Sequence, residues 1–98
     1  MFSYLWEFTV RPDRLEEFLA AYGPGGDWEL LFGRDPAFLR TELLRDCSNP
    51  QRFVTVDRWT SRAACLGFRE RFREELAAVD ERCAQLTTEE RHLGDFES

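Results

Sequence analysis

The chain has 98 residues, 13 basic and 19 acidic, for a net charge of −6, and 14% of it is aromatic. That length suits one domain spanning residues 1–98, with a thin core that three Trp, nine Phe and two Tyr must fill. The acidic balance argues against nucleic acid or an anionic membrane as the main partner.

The opening MFSYLWEF has no basic leader region, and Glu7 interrupts it early, so neither a secretory signal nor a membrane span is expected. The three Cys form no framework and no CxxC pair, which reads as reduced thiols and a cytoplasmic protein. Every basic residue is Arg, a bias of composition before it is a sign of function.

Residues 2–10 alternate. Phe2, Tyr4, Trp6, Phe8 and Val10 share one face of a strand, with Ser3, Leu5, Glu7 and Thr9 on the other. Pro12 suits a first helical turn, and Leu15, Phe18, Leu19 and Tyr22 then form an apolar helical stripe. Gly23-Pro24-Gly25-Gly26 ends that helix. Asp27 is placed to cap a short helix carrying Trp28, Leu31 and Phe32, closed by Gly33.

Phe38–Arg45 reads as a second strand and Arg52–Trp59 as a third. The turn cluster Asp46-Cys47-Ser48-Asn49-Pro50 is too short for a parallel crossover, so the two should form an antiparallel hairpin. Ser61 caps one long helix with the stripe Phe68, Phe72, Leu76, Val79, Cys83 and Leu86. Cys65 and Cys83 on it would lie roughly 27 Å apart, too far to bond within one subunit. Thr87-Thr88-Glu89-Glu90 resembles a capping box on a short turn, and Arg91–Glu97 reads as the last strand.

The order β-α-(short α)-β-β-α-β is that of an α+β, ferredoxin-like split βαβ fold: a four-stranded antiparallel sheet with its long helices on one face. The other face is left for water or for a second sheet, and a two-fold homodimer through that face is the expectation.

The pattern LWEFTVRPDRLEEFLAAYG, then GDWELLF, FLRTELLRD and RFVTVDRWTSRAACLGF, ending in ERHLGDFE, resembles the antibiotic-biosynthesis-monooxygenase-like proteins. The resemblance covers nearly the whole chain and implies a dimeric α+β barrel with a pocket between each sheet and its helices. It implies cofactor-independent oxygenation of an aromatic or quinol-like compound as one activity. A non-catalytic dimeric module for a small apolar ligand and a cyclase- or isomerase-like enzyme on the same barrel are the alternatives. The haem-degrading branch is disfavoured. Where it carries a first-strand Asn, a helical Trp and an axial His, this chain has Glu7 and Phe8, then Phe68, and no His between Arg62 and Leu86.

An oxygenase of this kind needs aromatic walls, a group that moves a proton, and exclusion of water. Trp6, Trp28, Phe32, Trp59, Phe68 and Phe72 are the candidate pocket residues. Each of them also serves as ordinary core. His92, the one side chain that ordinarily titrates near neutrality, is the candidate base, with Tyr22 as a hydrogen-bond donor to a substrate oxygen. Glu7 and Asp57 are expected to join Arg40 and Arg58 in a charge network on the open sheet face. Neither a phosphate loop nor a metal-ligand pattern occurs in the sequence, so no cofactor or metal is expected.

Overall fold

A computed structural model describes residues 1–98. Four strands, β1 (Phe2–Val10), β2 (Phe38–Arg45), β3 (Arg52–Trp59) and β4 (Thr87–Glu97), form one sheet in the order β2-β3-β1-β4. All three pairings are antiparallel. The helices are α1 (Leu15–Tyr22), α2 (Asp27–Phe32), α3 (Arg62–Arg71) and α4 (Arg73–Cys83), with 3₁₀ turns at Pro12–Arg14 and Ala84–Leu86. This is the α+β, ferredoxin-like arrangement expected from the sequence.

Alternation in β1 sets the layers. Phe2, Tyr4, Phe8 and Val10 are buried in the core with Phe18, Tyr22, Phe32, Phe53 and Phe68. The aromatic rings form a continuous chain. Phe18 stacks on Tyr22 at 4.4 Å between centroids, Phe8 lies 4.9 Å from Tyr22, and Trp59 lies 5.1 Å from Phe68. Burying each such side chain contributes about 1.5–3 kcal/mol, which is how so short a chain sustains a two-layer fold.

Three local expectations give way to the structure. The long helix is broken at Phe72, whose backbone (φ −108°, ψ 25°) leaves the helical region. The N–H of Phe72 still donates to Phe68 O and that of Leu76 to Phe72 O, so α4 follows α3 directly across the bend. Neither Pro nor Gly marks the bend; what accompanies it is the stack of Phe72 on Phe68 at 4.7 Å. The cap of α2 is Gly26, not Asp27, because Asp27 lies inside the helix and pairs with Arg82. Thr87–Glu90 is strand rather than capping box: β4 begins at Thr87, and the Thr87 hydroxyl bonds the Glu90 carboxylate within it.

A bulge in β4 also matters for placement. The register passes from Trp6↔His92 to Leu5↔Gly94, leaving Leu93 unpaired. Gly94 sits at φ 151°, where a side chain is strained, and an added Cβ would come within 3.0 Å of the Phe96 ring. The extra residue turns both His92 and Asp95 toward the face that carries Trp6 and Tyr4. There the His92 ring bonds the Asp95 carboxylate at 2.8 Å.

Candidate functional site

Between the sheet and the helices lies a cavity of about 420 Å³, within the range of small-molecule sites. Its walls are aromatic: Trp6 and Phe8 from β1, Tyr22 from α1, Trp28 and Phe32 from α2. The floor is polar, with Tyr4, Thr41, Thr55 and Asp57. The exposed rim of the cavity is formed by Arg73, Ala77 and Asp80 of α4, which follows Phe72, and by Glu90 of β4.

Two features fix the aromatic wall that α2 provides. Gly26 passes so close to α1 that a Cβ there would lie 2.4 Å from Ala20 O and 2.5 Å from Ala21 O, so only glycine lets α2 start against α1. At the other end, Asp35 is buried, accepts from the Ala37 N–H at 2.8 Å and pairs with Arg71 of α3. Between these anchors Trp28 sits 5.8 Å from Tyr22 and 5.7 Å from Phe32, ring centre to ring centre.

Asp57 is the chemically distinctive group. It is 5% exposed and faces the helices, opposite Tyr4 in the β1–β3 ladder. This corrects the expectation that it belongs to the charge network on the open face. Alternation along RFVTVDRW places Phe53, Thr55, Asp57 and Trp59 together, and Trp59 is core. The Thr41 hydroxyl donates to Asp57 Oδ1 at 2.6 Å. Burial pushes the Asp57 carboxyl up to about 6, against the opposing pull of Thr41 and Arg69. Beside it, burial raises the Tyr4 hydroxyl far above its ordinary range, with the Asp57 charge adding to the shift. The Arg69 guanidinium lies 4.6 Å from the centre of the Tyr4 ring.

The other sequence candidates fall into three groups. Trp6, Trp28, Phe32 and Tyr22 border the cavity. Burial raises the Tyr22 hydroxyl well above its usual value, so it stays protonated and able to donate. Trp59 and Phe68 are 0% exposed and pack into the core, with Phe72 stacked outside Phe68, and none of the three borders the cavity. His92 stands apart from it too, at the β4 edge, its ring 5.3 Å from Trp6 and engaged with Asp95. Glu90, at the opening, is raised by burial and by the neighbouring Asp80. Asp57, Thr41 and Arg69 form the part that the sequence reading missed. The signal for Asp57 was its two-residue spacing from Trp59. Arg69 carries no such signal, standing in the charged run RERFREELAAVDER.

The open sheet face carries Glu7, as its alternation with Trp6 requires. Its partners are Arg52 at 2.5 Å and Arg91 at 2.9 Å, while Arg58 and Arg40 pair with Glu42 at 2.9 and 3.2 Å. No three His, Cys, Asp or Glu side chains gather as a metal site. No helix is long and apolar enough to cross a membrane.

The sequence profile of the antibiotic biosynthesis monooxygenases matches residues 1–71. The chain belongs to the antibiotic biosynthesis monooxygenase family. The matched span carries β1 to β3, α1, α2 and α3, and so most of the cavity; α4 and β4 complete it. Solved structures agree on the fold. A family protein of Nitrosomonas europaea superposes with a TM-score of 0.75 at 18% identity, over 100% of this chain and 98% of that one. A Deinococcus radiodurans member superposes at 0.78 and 11% identity, over 100% and 92%. SnoaB, a cofactor-independent oxygenase from Streptomyces nogalater, is 26% identical, with a TM-score of 0.66 over 99% of this chain and 91% of that one. No curated protein matches the sequence.

Proposed function

We propose that this family member is a cofactor-independent monooxygenase that oxidises a small aromatic or quinol-like compound held between its sheet and its helices. The observation that carries this reading is the cavity: flat aromatic walls around a polar floor that holds a buried carboxylate. The likeness to SnoaB, a cofactor-independent oxygenase, supports it.

The chemistry balances without an added reductant. A ring hydroxyl, or the enol form of an activated ring CH₂, loses its proton, and the resulting anion gives electrons to O₂ from a ring carbon that bears hydrogen. One oxygen atom becomes the new carbonyl and the other leaves as water, so the substrate supplies all four electrons. The protein's share is to stack the ring, exclude water and hold a proton acceptor close. We assign Tyr22, which borders the cavity and is protonated at neutral pH, as the donor to a substrate oxygen.

We also assign the open sheet face to a second copy of the chain, as is typical of the family. Leu5, Val54 and Val56 lie along it between the Arg–carboxylate pairs, with Leu44 half exposed beside them. Sedimentation at tens of micromolar should give twice the 11.6 kDa chain mass; a chain that sediments as a monomer there sinks this assignment. Three unpaired thiols, Cys47, Cys65 and Cys83, suit a reducing compartment, and we assign the protein to the cytoplasm.

The test of activity is oxygen uptake with a panel of anthrones and naphthohydroquinones. Turnover should consume one O₂ per substrate, and Trp28→Ala should lower kcat/KM by roughly tenfold, the scale of one lost aromatic stack. Compounds that bind tightly yet consume no oxygen would leave the alternative, a module that binds a small apolar ligand without turning it over.

A further inference from the structure

We propose that Asp57 is the group that recognises a hydroxyl on the bound aromatic and takes its proton, so that the cavity selects hydroxylated rings over their ethers. The proton transfer rests on the oxygenase reading above; the recognition does not.

The geometry singles out one oxygen. Thr41 holds Oδ1, while Oδ2 takes no hydrogen bond from the chain and is not sealed from the cavity. A buried carboxylate with a free lone-pair site on an apolar cavity is costly alone and relieved by a donor from the ligand. A flat ring stacked between Trp6, Trp28 and Phe32 with its hydroxyl toward the floor supplies that donor. The competing acids are placed differently: Asp80 and Glu90 stand exposed at the opening, and His92 lies off the cavity.

The step is a simple proton transfer. The substrate O–H bond breaks, its electron pair stays on the substrate oxygen, and the proton moves to Oδ2. With the carboxyl near 6, Asp57 is mostly ionised and ready to accept at neutral pH. Arg69, whose guanidinium lies over the Tyr4 ring beside this floor, is the cation that faces the oxyanion formed.

The test compares 1-naphthol with 1-methoxynaphthalene by calorimetry at about pH 8, with oxygen uptake on the panel above as a separate arm. The wild-type chain should bind the naphthol roughly tenfold or more tightly, the scale of a hydrogen bond to a charged acceptor. Asp57→Ala should bring the two within roughly twofold. Asp57→Asn keeps the shape and the Thr41 contact, and serves if the alanine variant does not fold; its preference should drop at least roughly threefold as the charge is lost. Asp57→Asn should also lose roughly a hundredfold in kcat on any compound that is turned over.

Equal or undetectable binding of the two compounds by the wild type overturns the proposal. So does a preference that survives in the Asp57 variants. If the preference is present and lost on substitution while no compound consumes oxygen, the recognition site stands and the oxygenase reading falls. If oxygen uptake is found and Asp57→Asn retains it undiminished, the oxygenase reading stands and Asp57 is not its base.

Discussion

Phe68→Ala should destabilise the fold by about 3–5 kcal/mol, the cost of deleting a fully buried aromatic side chain. Phe68 is 0% exposed and sits at a junction of rings. Its centroid lies 4.7 Å from Phe72, 5.1 Å from Trp59 and 5.8 Å from Phe32. Truncation leaves a void that these neighbours cannot close together, because Trp59 is fixed in β3, Phe32 in α2 and Phe72 at the bend before α4. Domains of this size have about 5–15 kcal/mol in total, so the variant should be partly unfolded at room temperature or melt far earlier. Urea unfolding followed by tryptophan fluorescence reads the loss directly. A pocket-wall residue behaves otherwise: its truncation costs little stability and mainly weakens ligand binding. A measured loss under about 1 kcal/mol would return Phe68 to the wall.

Asp57→Asn should do the opposite. The carboxyl rises from 3.8 in the unfolded chain to about 6 in the fold because burial disfavours its charge. Between these values the native state holds a proton that the unfolded state has released. Stability from this group is therefore full below about pH 4, falls as pH rises through the window, and is lost above about pH 6. The difference amounts to about 3 kcal/mol across the window. The groups near Asp57 are Thr41 on β2, Tyr4 on β1, and Arg69 and Cys65 on α3, and none of them titrates in that window. The asparagine variant keeps the Thr41 contact and has no such window. It should match the wild type near pH 4 and exceed it in stability by about 1–3 kcal/mol at pH 8. Denaturation curves of both chains at several pH values supply the check, and parallel stability profiles would show that Asp57 is not desolvated. A group that costs stability in its working ionisation state is what a chemical site tends to contain.

Much of the fold was legible because secondary structure is a local signal. The alternation of Phe2 to Val10, the Phe38–Arg45 and Arg52–Trp59 hairpin, and the Ser61 cap each depend on neighbours within a few residues, and each is present, the Ser61 hydroxyl accepting from the Ala64 N–H at 3.1 Å. The misreadings were also local. Thr87–Glu90 has the composition of a capping box, but pairing with β1 makes it strand. The helix after Ser61 has an unbroken stripe of the right spacing, and only packing of Phe72 on Phe68 reveals the bend.

The sequence by itself determined the two faces of β1, the order of the strands and the likeness to the antibiotic biosynthesis monooxygenases. Period-two alternation and the three-to-four spacing of helices decide which side chains share a face. Tertiary structure alone decided which of those side chains meet a partner and which meet empty space. Trp6 and Phe2 share a face of β1, yet Trp6 borders the cavity and Phe2 does not. Trp59 and Asp57 share a face of β3, yet one is sealed in the core while the other floors the cavity. The reason is physical. A cavity is the space left where α2 and α4 do not fill the sheet, and that depends on how Gly26 lets α2 approach α1 and how α4 turns at Phe72. These are contacts between segments distant in the chain, and no local pattern in the sequence encodes them.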